Sequence, residues 1–350
     1  MGTALPGHVL IGGYTSDGDE GVGGLTSWRP RPDGGGLDVV DRLALTNPTY
    51  LVAHPSEPWL FVAGETDEGR VSSVRLNEDG TLDLISTVGT GGSGSCHVAV
   101  AADRRHVLVA DYGSGSLCSV PIEPDGGLRE RSGFWQFDGS GPDAGRQEAP
   151  HAHQVLVDGA EVLVADLGTD RIHRLRLGED GTLSLAGPAV LLPPGSGPRH
   201  AVIVEDHLVV ATELSGELWL GRRASGGGWT ELDRVPCTAS PEHSELSPSA
   251  LRADGDTVLV ANRGPGTIAA FALDRRAGTL RLIEERAGGG RSPRDLVVTD
   301  TLLWVANQTD DVVTVLARDA EPGAEPVLSV STPAPACVLL VAAAGDNLGR

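Results

Sequence analysis

Histidine, arginine and glutamate recur in this 350-residue chain where short apolar runs begin and end. His97, His153 and His200 open such runs, with His151 just before one of them. Arg199 and Arg294 immediately precede two strand starts, and Glu65, Glu213 and Arg263 follow other runs. An imidazole near neutrality moves protons, and a planar guanidinium grips carboxylate or phosphate through its fork. Brought together, these groups would make an anion-binding acid–base site. Taken singly, each histidine fits equally well as a buried ring hydrogen-bonded between neighbouring strands.

Charge narrows the partners. The formal net charge is −21, and all 27 basic residues are arginine. Nucleic acid and anionic membranes demand a basic surface, so neither is expected as a partner. With no lysine anywhere, Schiff-base chemistry and a phosphate-loop lysine are excluded. An acidic chain that gathers arginines at one place is expected to bind a small anion there. Cys96, Cys118, Cys237 and Cys337 are far apart, which suggests neither a zinc framework nor a disulfide scaffold. Cys96 directly precedes His97, but adjacent side chains of a regular strand face opposite sides, leaving the thiol without an activating partner. No basic segment followed by an apolar one precedes the strand-like run at His8, so the chain reads as cytoplasmic.

The elements that must position these residues are short strands. Gly is 48, Pro 23 and the aromatic share only 4%, a turn-dense composition. A run ending in Val-Ala recurs at Leu60 to Ala63, Val107 to Ala110, Val162 to Ala165, Leu208 to Ala211, Val258 to Ala261 and Leu303 to Ala306, with a diverged copy at Val9 to Gly12. The spacing of 45 to 55 residues is that of propeller blades. Each run follows another apolar strand across a short turn and precedes two more, the last two joined by turns such as Asn77-Glu78-Asp79-Gly80, Pro124-Asp125-Gly126 and Glu179-Asp180-Gly181. Four antiparallel strands make a blade.

First strands number seven, beginning near Tyr50, His97, His153, His200, Ala250, Asp295 and Cys337. Second strands also number seven but start with Val9. Pairing the orphan run at Cys337 to Val341 with the orphan at Val9 closes the ring and removes both open edges. The expected fold is therefore all-β, a single seven-bladed propeller over residues 1–341. The tail at 342–350 lies beyond it, its order unreadable. In such a fold the starts of first strands and the ends of second strands share one face. Glu65, Asp111, Tyr112, Asp166, Glu213, Arg263, Asn307 and Gln308 join the histidines there, while His54, His106 and His207 fall on the opposite face. Gly89-Thr90-Gly91-Gly92-Ser93-Gly94 matches a dinucleotide pattern, yet it opens a strand rather than a helix and lacks the anion site a helix N-terminus would provide.

Gly13-Tyr14-Thr15-Ser16, Asn47-Pro48-Thr49-Tyr50-Leu51, Cys96-His97-Val98, Pro150-His151-Ala152-His153, Asp166-Leu167-Gly168-Thr169-Asp170, Gly197-Pro198-Arg199-His200, Asn262-Arg263-Gly264 and Pro293-Arg294-Asp295 together resemble the signature segments of the propeller-type lactonase family, which includes bacterial 6-phosphogluconolactonases and fungal carboxymuconate cyclases. The resemblance spans nearly the whole chain in order. It implies a metal-independent, cofactor-free site at the propeller mouth, with His153, Arg199, Glu213 and Arg263 in catalytic positions. Arg294, His97, His151, His200 and Glu65 are then expected to contact substrate. Two departures, Gly64 before Glu65 and Thr212 before Glu213 where the family usually has Asn, bear on substrate selectivity.

The implied activity is hydrolysis of a sugar-acid lactone, 6-phosphogluconolactone to 6-phosphogluconate in the pentose phosphate pathway, by a monomer or weak oligomer. A cycloisomerase acting on a carboxylated muconolactone would use the same groups. A calcium- or zinc-dependent lactonase would need Glu, Asn and Asp clustered at the channel, where His and Arg prevail. A non-catalytic binding propeller would present apolar or aromatic anchors, and at the aligned rim positions only Tyr50 and Tyr112 are aromatic.

Overall fold

The computed structural model describes residues 6–15, 24–33, 35–242 and 246–342; Ser16 of the first motif and the tail from 343 onward lie outside them. Seven antiparallel sheets surround a central axis. The innermost strands are Pro48–Ala53, Ser95–Val100, Ala152–Asp158, Pro198–Val204, Pro248–Asp254, Pro293–Val298 and Pro335–Val341. Each packs against the next, and Pro335–Val341 packs against Pro48–Ala53 to complete the ring. Six sheets have four strands. In the third blade the outer strand is split into Leu183–Leu185 and Val190–Leu191, both paired with Arg171–Leu177.

The closure expected from the offset series is observed. His8–Gly13 pairs antiparallel with Pro335–Val341, from His8 opposite Val341 to Gly12 opposite Cys337. One sheet thus contains both ends of the described chain, and each of the two orphan strands has its partner.

The Val-Ala runs are apolar throughout because second strands are covered on both faces. Val107, Leu108, Val109 and Ala110 are all fully buried. Hydrophobic side chains collect into seven clusters, one at each interface between adjacent blades. The diverged copy ends in Gly12 for a packing reason: a Cβ there would lie 2.1 Å from the Pro48 carbonyl oxygen. The outer hairpin turns behave as read, with Gly80, Gly126 and Gly181 at φ of 89°, 90° and 82°. All four cysteines are free and buried. No helix of the described residues is long and apolar enough to cross a membrane.

Candidate active site

Each innermost strand begins with a β-bulge, and the bulges correct the register inferred from sequence. The alanine closing each Val-Ala run lies opposite Tyr50, His97, Gln154, His200 and Asp295, so Gln154, not His153, is the counterpart of His97 and His200. His153 is the extra residue of its bulge, as Thr49, Cys96, Arg199 and Arg294 are of theirs. A bulge re-aims its side chain out of the regular alternation. These five residues, with Ala336, surround a small enclosed axial space that Tyr50, His200 and Asp295 also line. The alternation argument for Cys96 therefore fails locally, since Cys96 lines the same space. Burial nevertheless pushes its thiol well up, and Sγ donates to the His153 carbonyl at 3.3 Å.

A repeated clip builds the mouth above this ring. The residue following each second strand donates its amide to the carbonyl two positions before the facing bulge. The clips are Tyr14 to Ala334, Glu65 to Asn47, Tyr112 to Gly94, Leu167 to His151, Glu213 to Gly197, Arg263 to Ser247 and Gln308 to Ser292. Six of the seven acceptors have positive φ, from 36° at Ala334 to 65° at Gly94. The chain reverses there, and in five blades a proline then starts the strand, where its missing N–H costs no ladder bond.

The second-strand ends named from sequence separate into two sets. Asp111, Asp166, Asn262 and Asn307 end their strands and are fully buried. Asp166 accepts the His151 and Gly168 amides and the Thr169 hydroxyl, and Asn262 donates to the Cys237 carbonyl at 2.8 Å. These side chains anchor loops. Gly64 and Thr212 occupy the same strand-end position, with the Thr212 hydroxyl donating to the Glu217 carbonyl at 2.8 Å. The two departures from the usual Asn thus fall at the strand-end position whose side chains anchor loops in other blades.

Glu213 organises one side of the mouth. Its Oε2 lies 2.7 Å from Arg263 Nη2 and 2.9 Å from Arg199 Nε, and its Oε1 lies 2.7 Å from Arg146 Nη2. Burial alone would raise this carboxyl, but the three guanidiniums outweigh it and hold the group at about 2. Arg199 is only 2% exposed. Burial and the nearby Arg263 lower it to about 9 against the opposing pull of Glu213, so it stays cationic at neutral pH. The Arg199 contact is ionic rather than an aligned hydrogen bond, and its Nε and Nη1 find no acceptor among the described residues.

The opposite side is held by Arg294. Its Nη2 donates to the Tyr14 hydroxyl at 2.6 Å and lies 3.8 Å from Glu65, and its Nη1 donates to Gln308 at 3.3 Å. Tyr14 in turn donates to Glu65 at 2.8 Å. Between the two sides, the buried His153, His200 and His97 and the half-buried Tyr50 form a column. His153 and His200 meet edge-on with centroids 5.5 Å apart, His97 and His200 at 5.8 Å, and His97 stacks on Tyr50 at 3.9 Å. Burial first, then the surrounding arginines, drive all three imidazoles well below their ordinary value. They are neutral bases at physiological pH.

His151 stands apart from this column. Its ring stacks on Tyr112, Nδ1 meets the Tyr112 carbonyl at 2.9 Å and Nε2 lies 3.3 Å from Glu148. His106 sits on the opposite face beside Asp103, as expected from its hairpin. Sequence reading missed two arginines. Arg146 comes from the long connection before His151, where no strand pattern marks it. Arg252, two residues beyond Ala250 on an innermost strand, pairs with Asp295 at 2.6 Å below the mouth. Strand alternation from Ala250 would have found the second. Among the described residues no group of three or more His, Cys, Asp or Glu side chains is arranged to hold a metal ion.

A family model described as "Lactonase, 7-bladed beta-propeller" matches residues 8–340. The chain belongs to that lactonase family. The 6-phosphogluconolactonase of Bacillus subtilis is 31% identical over 342 residues, covering 94% of this chain and 96% of the relative. The 6-phosphogluconolactonase of Formosa agariphila is 25% identical, covering 82% and 85%. Among solved structures, the periplasmic gluconolactonase of Pseudomonas aeruginosa superposes with a TM-score of 0.87 at 28% identity, covering 96% of this chain and 99% of that one. The propeller lactonase fold described above therefore carries a mouth of four arginines, two glutamates and neutral histidines.

Proposed function

We propose that this lactonase-family chain hydrolyses a sugar-acid lactone, with 6-phosphogluconolactone as substrate and 6-phosphogluconate as product, the lactone-opening step of the pentose phosphate pathway. The observation that carries the reading is the juxtaposition of a neutral, buried His153 with Arg199, both on bulges of adjacent blades and both facing the same axial space.

In this reading His153 takes a proton from water as its oxygen attacks the lactone carbonyl carbon. The new C–O bond gives a tetrahedral oxyanion, which Arg199 and Arg263 stabilise. Collapse breaks the bond to the ring oxygen, and the imidazolium returns the proton to that oxygen as it leaves as a hydroxyl. Glu213 holds the arginines in place and takes no proton, since its carboxyl titrates near 2. The fixed charge pattern is present before substrate arrives, so little reorganisation accompanies the reaction.

The test is a panel of phosphorylated, neutral and carboxylated lactones assayed against spontaneous hydrolysis, with and without a chelator. Turnover of 6-phosphogluconolactone, unaffected by chelator, is the expected result. No acceleration on any hydrolysable lactone would overturn the reading.

A further inference from the structure

Glu213 divides its three arginines into two levels. Oε2 faces Arg199 and Arg263, while Oε1 faces Arg146 alone. Arg199 is nearly inaccessible, whereas the Arg146 side chain is 44% exposed. A ligand arriving from solvent meets Arg146 first.

Arg146 is not a loose surface side chain. The Asp143 carboxylate accepts the Gly145 and Arg146 amides at 2.9 and 3.2 Å. The next residue, Gln147, is fully buried and donates to the Leu167 carbonyl and to Asp170, both at 2.8 Å. The connection is thus pinned to the third blade one residue beyond the guanidinium, a rigid support for a binding group. Both contacts of the guanidinium use Nη2: one to Glu213, the other to the Tyr112 hydroxyl at 3.4 Å. Nε and Nη1 make no hydrogen bond to the described residues. Glu213 alone meets all three guanidiniums, which leaves excess positive charge within that cluster, with Glu148 the further carboxylate that acts on Arg146.

We propose that Arg146, beside the Tyr112 hydroxyl, is a specificity-determining residue that binds an anionic group of the substrate remote from the lactone carbonyl; this rests on the lactonase reading. With the carbonyl at the depth of His153 and Arg199, the rest of the substrate extends toward solvent. There it meets a pinned guanidinium with unused donors, suited to the oxygens of a phosphate or a carboxylate. Because this interaction is equally available before and during the reaction, it acts on binding rather than on turnover.

The experiment compares wild type, Arg146→Ala and Arg146→Lys on 6-phosphogluconolactone, glucono-δ-lactone and a carboxylated muconolactone. Expected in Arg146→Ala is a fall of about tenfold or more in the kcat/KM ratio of an anionic over the neutral lactone, carried by KM. The lysine variant, which keeps the charge but not the fork, should recover part of it. The anionic lactone that shows the fall identifies phosphate or carboxylate as the group. Equal losses on anionic and neutral lactones, or a loss carried by kcat, would overturn the proposal. If wild type hydrolyses none of the three, the hydrolase reading fails separately. Calorimetric titration with inorganic phosphate then decides: about tenfold weaker binding by Arg146→Ala upholds the anion site, and equal binding refutes it.

Discussion

Glu213→Gln removes one negative charge and almost no volume from the centre of the arginine cluster. In the wild type the carboxyl titrates at about 2 instead of 4.5, because three guanidiniums outweigh the cost of burying it. A depressed carboxyl contributes stability that is complete above 4.5 and is lost as pH falls through about 2. At about 1.4 kcal/mol per pH unit, the interval from 4.5 to about 2 corresponds to about 3 kcal/mol. Breaking a buried pair by removing one partner gives a similar figure, about 3 to 5 kcal/mol, because Arg199 would be left as an uncompensated buried charge. An unfolding entropy of about 2.1 cal/mol/K per residue over 350 residues is about 0.7 kcal/mol/K, so the expected fall in Tm at pH 7 is about 4 to 7 °C. Melting curves of both proteins from pH 2 to 7 provide the assay. The gap should be full at neutral pH, shrink below 4.5 and nearly close at 2. A gap under about 1 °C at pH 7, or one constant across the range, would refute the picture of Glu213 as the counter-ion of this cluster.

Four further outcomes are expected. A chain ending before Pro333 loses the Pro335–Val341 strand and should lose its cooperative melting transition, because the seventh blade reopens; an intact transition by calorimetry would contradict closure. Gly12→Ala should destabilise by about 1 to 3 kcal/mol through overpacking against the Pro48 carbonyl, read as a lower denaturant midpoint with unchanged slope. His153→Ala should lower turnover about 10²- to 10⁴-fold with little change in binding, whereas His106→Ala on the opposite face should not alter it. Since burial and arginines hold the His153 pKa below 6.5, the acid limb of the wild-type pH–rate profile should have its midpoint below that value.

The blade count, the closure and the face where first-strand starts meet second-strand ends were legible because each rests on a local pattern repeated seven times. A strand covered on both faces reads as Val-Leu-Val-Ala wherever it occurs, and a turn needing positive φ keeps its glycine. What was not legible was register. A bulge adds one residue without changing composition, so His153 looks equivalent to His97 and His200 in a string of letters. Pairing with Ala165 shows that Gln154 holds that place. Arg146 was invisible for a different reason: its position is set by Gln147 bonding to Asp170, a contact across 23 residues of sequence.

The same register shows how one architecture combines inter-blade bonding with an axial cluster of imidazoles and guanidiniums. Residues one step beyond the bulge bind blade to blade: Gln154 Oε1 accepts the Ala201 amide at 2.6 Å, and Asp295 Oδ2 accepts the Val338 amide at 2.9 Å. Bulge residues make the opposite use of the same strand, turning His153, Arg199 and Arg294 toward the axis. The two sets are adjacent in sequence and meet at the axis, where the post-bulge rings of His97 and His200 stand in one column with His153. Substitution at a bulge position therefore changes what lines the axial space while leaving the strand ladder intact, and this fits the variety found there, from Thr49 and Cys96 to Arg199 and Ala336. In the proposed mechanism His153 and Arg199 are residues that the ladder leaves unpaired, while Glu213 and Arg263 come from the clips that follow the second strands.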